Sequence, residues 1–410
     1  MSGAGAVLSR ARSATMTVAV FGPDAVRTVL TDIDTFGMPT PVSARYDLPQ
    51  PLANLNSALF SMTGPAHRQR QRLLATLLGP GRADQHATAI ERGLGRFLAG
   101  VEPGGEIGLI HEMRRLARLV AEEVLFGSTE PDEPVGVEIQ HYFELRRRYA
   151  SRGTPEPDRE ALDALVVQGR RVDARLRSLV RAGAGGRLSV VGELCQYAGD
   201  PAMALDEDEL VAHANILFMS SSEPIATAMT WIVLALTQRP ELRAAIRDGA
   251  DPWLLAGTVR EVLRLVPPSA ILVRLTRRDA HVAGLGLPEG CEVIVSPYVE
   301  HRRPGRFEDP GRLWPERWLT LQPGPYEFLP FGAGVRACLG RRIALATLEQ
   351  ATNAILARAD PVLARPQELD WRMNLTLLPS TDPAVRMAVP GGRPERGPRL
   401  SGPVDTLMTR

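Results

Sequence analysis

Phe331-Gly332-Ala333-Gly334-Val335-Arg336-Ala337-Cys338-Leu339-Gly340 sets one cysteine in a glycine-rich loop, with an arginine two positions ahead of it. Neither a second cysteine nor a histidine stands near Cys338, so the segment lacks the ligands of a closed tetrahedral zinc site. The chemistry left to it is one thiolate on a metal that something else already holds. Haem meets that condition: the porphyrin supplies its own nitrogens, and a proximal cysteinate pushes electron density onto the iron in the way that favours O–O cleavage. Cys338 therefore reads as an iron ligand. Gly332, Gly334 and Gly340 let the backbone approach a flat macrocycle and take conformations closed to other residues. Backbone N–H groups of such a loop can point at the sulfur, and Arg336 stands where it would meet a propionate. The alternative is a buried structural cysteine in a glycine-rich turn.

The loop resembles that of the cytochrome P-450 superfamily of haem-thiolate monooxygenases, F-x-x-G-x-R-x-C-x-G, with Phe331, Gly334, Arg336, Cys338 and Gly340 all in place. The resemblance runs from about Val18 to about Val389. It implies the soluble bacterial type: a mainly α fold with a small β region, and haem b between a long central helix and the Cys338 loop. Phe331 and Gly332 are then cofactor-binding residues beside the ligand. The expected organisation is a flexible N-terminus over 1–16, one domain over 17–389 and a disordered tail over 390–410, where Pro, Gly and Arg dominate.

Composition narrows the partners. With 48 basic and 47 acidic residues the net charge is +1, which lacks the basic surplus that phosphate recognition needs, so no nucleic acid is expected. Cys195, Cys291 and Cys338 are too far apart in sequence to read as a disulfide framework and suit a reducing cytosol. Met1 to Thr15 holds Arg10 and Arg12 but no apolar core of signal-peptide length. The longest uncharged apolar stretch, Pro224 to Thr237, is too short to span a bilayer. The expectation is a soluble, cytoplasmic monomer.

Along the chain, Thr17 to Phe21 reads as a strand and Pro23 to Thr31 as a helix; the extra helix that members of the family carry ahead of this point is expected to be missing or mis-started here. Arg45 to Met62 reads as a long loop, which the resemblance places over the substrate pocket. His67 opens a basic helical face with Arg68, Arg70 and Arg72. The family puts a His or Trp here with an Arg four residues on, both on the propionates; position 71 is Gln, so Arg70 is expected to take that role, since i+3 and i+4 share a face. Ile107 to Gly127 shows the helical period of a core element. Phe143 to Ala182 carries two helical patterns, the family's movable lid, and Arg146-Arg147-Arg148 within it reads as a solvated face or a basic substrate contact.

Asp206 is a good N-cap, followed by Glu207, Asp208 and Glu209 where negative charge suits the helix dipole. The helix reaches Gln238, about 50 Å at ~1.5 Å per residue, long enough to cross a whole domain. Its middle, Phe218 to Thr227, is a polar patch in an apolar helix, and buried polar groups need partners or a purpose. The family places an acid and a threonine here. Glu223 matches the acid, and Pro224 replaces the threonine. Proline has no N–H and leaves the Ser220 carbonyl free, bending the helix. A water held by Ser220, with Glu223 as proton source, is the expected substitute.

Glu261 and Arg264 form the family's E-x-x-R pair, joined by Arg317 of the Pro-x-Arg segment; all three are expected to be structural. Ala270 to Leu275 and Cys291 to Ser296 read as strands, with Arg274 matching the propionate arginine. Ile343 to Ala357 reads as a helix under the haem. By family position the substrate contacts are Leu55 and Phe60 in the roof, Ile216, Met219 and Ser220 on the long helix, Ala270 and Ile271, and Leu377 in the last turn, Thr376 to Thr381.

The resemblance implies oxidation of a mostly hydrophobic natural-product intermediate, such as a terpenoid or polyketide, with O2. No flavin or nicotinamide motif is present, so electrons from NAD(P)H would arrive through a ferredoxin and its reductase, steered by Arg341-Arg342 and Arg68 to Arg72. The missing threonine keeps a peroxide-driven peroxygenase, or an oxidative rearrangement, as the alternative. A haem sensor is the remaining one, and the chain has no room for an effector domain.

Overall fold

The computed structural model describes residues 6–10, 16–39, 50, 52–127, 134–151, 159–183, 188–198, 200, 203, 205–249, 251–373, 376–391 and 397–405. Its N-terminal part runs β1 (Ala6–Arg10), β2 (Met16–Val20), α1 (Pro23–Thr31), β3 (Phe36–Gly37), α2 (Leu52–Leu55), α3 (Gly64–Leu77), α4 (Ala83–Leu98), β4 (Glu106–Gly108), α5 (Leu109–Phe126), α6 (Val135–Ser151), α7 (Arg159–Arg181) and α8 (Val190–Cys195). The central helix is α9 (Glu207–Gln238), followed by α10 (Pro240–Arg247), α11 (Pro252–Leu265), β5 (Leu272–Thr276), β6 (Ala280–Val282), β7 (Leu285–Leu287), β8 (Glu292–Val295) and α12 (Pro297–Glu300). After the cysteine loop come α13 (Arg341–Arg358), β9 (Asp360–Leu363), β10 (Gln367–Glu368), β11 (Trp371–Met373), β12 (Leu377–Pro379), β13 (Ala384–Ala388) and β14 (Leu400–Ser401). Helices dominate and the strands form small sheets, as expected.

α9 is the element on which the helices assemble. The Asp206 carboxylate accepts the Glu209 N–H at 2.8 Å, satisfying one orphan donor of its first turn. From Ile225 to Thr237 every residue is buried. Trp231, fully enclosed, donates its indole N–H to the Leu377 carbonyl at 2.7 Å and so ties the helix to β12. Phe218 stacks on Phe126 of α5, with centroids 6.1 Å apart. This helix is long and apolar enough to cross a membrane by composition, but its apolar window is mostly buried inside the protein. Pro224 lies within α9 and does not end it; packing on both sides holds the helix through the turn that the ring weakens.

A second apolar cluster sits on the five-stranded sheet, ordered β1-β2-β8-β5-β3, with Val18, Val20, Val293 and Val295 facing α1 residues such as Val26 and Leu30. Both chain ends contain strands. Ala6–Arg10, in the segment expected to be flexible, pairs antiparallel with β2 from Ala6↔Val20 to Arg10↔Met16. The region after 390, expected to be disordered, contains β14, which pairs parallel with β10. Leu400 and Val404 are both buried there. One sits on β14 and the other in the turn that follows, two apolar anchors that the Pro, Gly and Arg content of the tail obscured.

Candidate active site around Cys338

The cysteine loop is folded by its own backbone. The Cys338 N–H donates to the Phe331 carbonyl at 2.9 Å, Gly332 N–H to Leu329 at 3.0 Å and Ala337 N–H to Gly334 at 3.1 Å. Gly332 and Gly334 hold φ of 63° and 70°, where a side chain is strained. At Gly334 a Cβ would also meet the Leu30 carbonyl oxygen at 2.3 Å, so the loop can press on α1 only with glycine there. Gly340 differs from expectation, because its φ of −83° is open to any residue. Its contribution is an N–H turned towards the Cys338 sulfur, which with Arg341 lowers the thiol pKa against burial that raises it more. The thiol is accessible, yet protein desolvates it. Both hold together for a side chain that opens into an internal chamber rather than onto bulk water. Arg341 lies over the Phe331 ring, 5.7 Å from its centroid.

Basic side chains gather around the loop: Arg336 acts electrostatically on both Arg274 and His67. Arg274 on β5 is 7 % exposed, and burial and Arg336 push its guanidinium down to about 10. Arg336 donates to the Met62 carbonyl at 2.6 Å and is itself lowered by burial. His67 is lowered by burial, Arg336 and Arg68. Among the described residues none of the three has a carboxylate within ion-pair distance. For Arg274 and Arg336, desolvated guanidinium groups without counter-charges, this is expensive unless an anion completes them. An accessible thiol facing such a group fits haem, whose iron takes a thiolate and whose propionates take the cations.

Arg70 is a correction. Its Nη2 donates to Glu209 at 2.8 Å, its Nε to the other Glu209 oxygen, and its Nη1 to the Met203 carbonyl at 2.6 Å, so its donors are committed to the start of α9. At i+3 it turns to the wrong side of α3. Gln71, at i+4 from His67, is the residue that reaches the loop, donating to the Val335 carbonyl.

On α9, Ser220 is exposed and Ile216, Leu217, Ser221, Glu223 and Pro224 keep partial exposure in an otherwise buried middle. Their three- and four-residue spacing puts them on one face. The Ser220 hydroxyl donates to the Leu217 carbonyl at 3.2 Å, leaving its oxygen free to accept. Glu223 is clasped by Arg114 of α5, Nη2 to Oε1 at 2.6 Å and Nε to Oε2 at 3.2 Å. Burial opposes the Arg114 charge, and Glu223, with Glu144 and Asp382 behind it, more than offsets that, so the arginine is raised. Reading α5 as pure core missed Arg114; a carboxylate in an apolar helix requires such a counter-charge.

The expected substrate contacts divide. Ile216 and Ile271 are half-buried and Phe60 is 52 % exposed. Met219, Ala270 and Leu377 are buried, with little surface to offer. Leu55 has none: it is sealed in the core, and its carbonyl takes a hydrogen bond from Asn215 of α9 at 3.0 Å.

Behind the loop, Glu261 and Arg264 are fully enclosed and meet through Nη2–Oε1 at 2.8 Å and Nε–Oε2 at 3.0 Å. Arg317 Nε joins Oε1 at 2.9 Å. Sequence reading missed His301, which carries this network to the cysteine loop. Its Nε2 accepts the Leu329 N–H at 2.7 Å, so Nδ1 must bear the proton that the Arg264 carbonyl accepts at 3.1 Å. Burial, with Arg264 and Arg302, pushes His301 from an ordinary 6.5 down to about 3. The folded form thus binds fewer protons than the unfolded one between those values. Stability contributed by His301 is present above pH 6.5 and lost as pH falls towards 3, at roughly 1.4 kcal/mol per pH unit. His67, His86 and His213 are lowered too, so the check is denaturant unfolding at pH 7, 6 and 5 for wild type and His301→Asn. The variant should lose about one proton's worth of the slope; an unchanged slope removes His301 from the account.

Comparison with known proteins follows from this geometry. A family model described as Cytochrome P450 matches residues 190–368, which include Glu223, Glu261, Arg264, Arg317 and Cys338. Cyclooctatin synthase of Streptomyces melanosporofaciens is 27% identical over 366 residues, 82% of this chain and 78% of that protein. Pentalenene oxygenase of Streptomyces avermitilis is 26% identical over 370 residues, 80% of this chain and 79% of that protein. Among solved structures, the retinoic acid-bound cyanobacterial CYP120A1 superposes with a TM-score of 0.80 at 21% identity, covering 92% of this chain and 90% of that one, a likeness of fold.

Proposed function

Since this chain belongs to the cytochrome P450 family and is a monooxygenase of that family, we propose that it oxidises a mostly hydrophobic small molecule, an intermediate of natural-product biosynthesis, with O2. The relatives named for cyclooctatin and pentalenene support that substrate class. Electrons from NAD(P)H reach the site through a ferredoxin and a ferredoxin reductase in the cytoplasm, since the sequence carries no flavin or nicotinamide motif of its own. One observation carries the reading: an accessible thiol that protein desolvates, in a loop whose Arg336, with Arg274 and His67, has no carboxylate partner among the described residues.

Haem, when bound through Cys338 and held by Arg274, Arg336 and His67, supplies O–O cleavage and oxygen insertion. The chain's own part is orientation and proton control. Ile216 and Ile271 offer apolar surface to the substrate. Pro224 lacks an N–H, so the Ser220 carbonyl has no helical donor and is free to hold a water together with the Ser220 hydroxyl. Glu223 would relay to that water a proton taken up from solvent, leaving Arg114 as it does so and returning to it afterwards. The pair is partly exposed, 33% and 14% for its two side chains, which gives the carboxylate a way to water.

The test is product formed per NAD(P)H consumed in wild type, Ser220→Ala, Glu223→Gln and Pro224→Thr. Loss of a positioned proton donor should slow Glu223→Gln by roughly 10²-fold and waste reducing equivalents. Unchanged rate and coupling in both Ser220→Ala and Glu223→Gln removes this relay. Wild type driven as well by peroxide as by redox partners replaces the proposal with the peroxygenase.

A further inference from the structure

Among the described residues, one hydrogen bond from another element reaches the limb of the cysteine loop between Phe328 and Ala333. It is the Leu329 N–H donated to His301 Nε2 at 2.7 Å. The opposite limb has more anchors, since Gln71 donates to the Val335 carbonyl and Arg336 to the carbonyls of Leu59 and Met62. His301 is itself fixed on every side. It is fully enclosed at the end of α12. Its ring lies 5.1 Å from that of Phe328 and 6.4 Å from that of Phe307, and Nδ1–H is donated to the Arg264 carbonyl at 3.1 Å. Leu329 is equally enclosed, so its N–H depends on the imidazole for an acceptor.

From Leu329 the constraint passes to the sulfur in short steps. The Leu329 carbonyl accepts the Gly332 N–H at 3.0 Å, and the Phe331 carbonyl accepts the Cys338 N–H at 2.9 Å. Pro330 stands between Leu329 and Phe331, and its ring fixes the φ that would otherwise absorb a displacement. A shift at Leu329 therefore moves the Phe331 carbonyl, and with it Cys338. Filling space does not call for an imidazole here, because an apolar side chain would do so without desolvating two nitrogens. The ring is suited to this place by having a donor for α11 on one edge and an acceptor for the loop on the other.

We propose that His301 is a positioning residue for the iron ligand: by accepting the Leu329 N–H it holds the first limb of the loop where Cys338 can stay bonded to haem iron. It acts through the backbone of the loop, and Arg264 orients it in turn. This rests on the haem-thiolate reading above, and the experiment keeps the two apart.

Two amides of different length separate the two hydrogen bonds of the ring. In His301→Asn the side-chain amide stands where Nδ1 stood and serves the Arg264 carbonyl. In His301→Gln it reaches the place of Nε2, where its oxygen accepts from Leu329. Both variants lose the aromatic ring, so the loss of packing is common to them. The readouts, on the haem-loaded full chain, are hydrogen exchange of the Leu329 amide and the lifetime of the red-shifted Soret band of the reduced carbonyl complex, each at a fixed interval below the variant's own melting temperature. His301→Asn should exchange Leu329 and lose the band about 10- to 100-fold faster than wild type, as an orphaned buried donor requires, with His301→Gln within about 3-fold of wild type. A histidine that served only stability would leave the two variants alike once melting temperature is matched. Equal exchange and equal band lifetime in the two, or a His301→Gln that is the worse of them, overturns the proposal. If neither variant folds, wild type decides: a Leu329 amide as fast to exchange as those of exposed loops overturns the proposal, and a protected one supports it. A wild type that shows no thiolate-type carbonyl band overturns the haem-thiolate reading instead.

Discussion

Replacing Cys338 by alanine is expected to abolish the strongly red-shifted Soret band of the reduced carbonyl complex and to bring turnover to background. Thiolate ligation produces that band, and no other cysteine is placed to supply it. Cys291 is buried in the sheet region, its N–H bonded to the Thr276 hydroxyl at 2.8 Å. Cys195 closes α8, and burial raises its thiol pKa with no cation or N–H to oppose the effect. Cys338 alone has a backbone N–H and an arginine favouring the thiolate, together with an accessible position. The variants Cys195→Ala and Cys291→Ala should keep the band. A normal band in Cys338→Ala, or its loss in either of the others, moves the ligand elsewhere.

Glu261→Ala should yield little soluble, haem-loaded protein. The Glu261 carboxylate accepts bonds from Arg264, Arg317, the Trp314 N–H at 3.1 Å and the Trp318 indole at 3.0 Å. Arg264 spends its other donors on the carbonyls of His301, Pro310 and Arg312. Arg317 reaches those of Glu308 and Asp309. Removing the acid strands two buried cations together, at roughly 3–5 kcal/mol, a large share of a typical total stability of about 5–15 kcal/mol. Because His301 joins Arg264 to Leu329, the disturbance should reach the cysteine loop as well. Thermal melting and haem content measure the outcome. A variant that melts normally, holds haem and loses only turnover contradicts the structural role.

The Cys338 loop was legible because its chemistry is local: a metal thiolate needs one cysteine, and the close turn around it needs glycines at 332 and 334, whose positive φ no alignment is required to suspect. The long helix was equally legible, since an N-cap, an acidic first turn and an apolar run are signals written in neighbouring residues. Glu261 and Arg264 could be paired from their i, i+3 spacing.

What the chain alone left open depends on direction and on distant partners. One residue of helical register separates Gln71, which meets the cysteine loop, from Arg70, which is spent on Glu209. Leu55 and Ile216 are alike as sequence, yet one is sealed in the core and the other half-open. Arg114 gains its meaning from Glu223, 109 positions away, and His301 from Leu329. Arg146, Arg147 and Arg148 form one charge run in the sequence, and only the packing of α6 decides which arginine is paired and which is left without a counter-ion. Residue types and short spacings determine which chemistry is possible; desolvation and the pairing of charges, which decide where that chemistry occurs, exist only once the chain has closed around them.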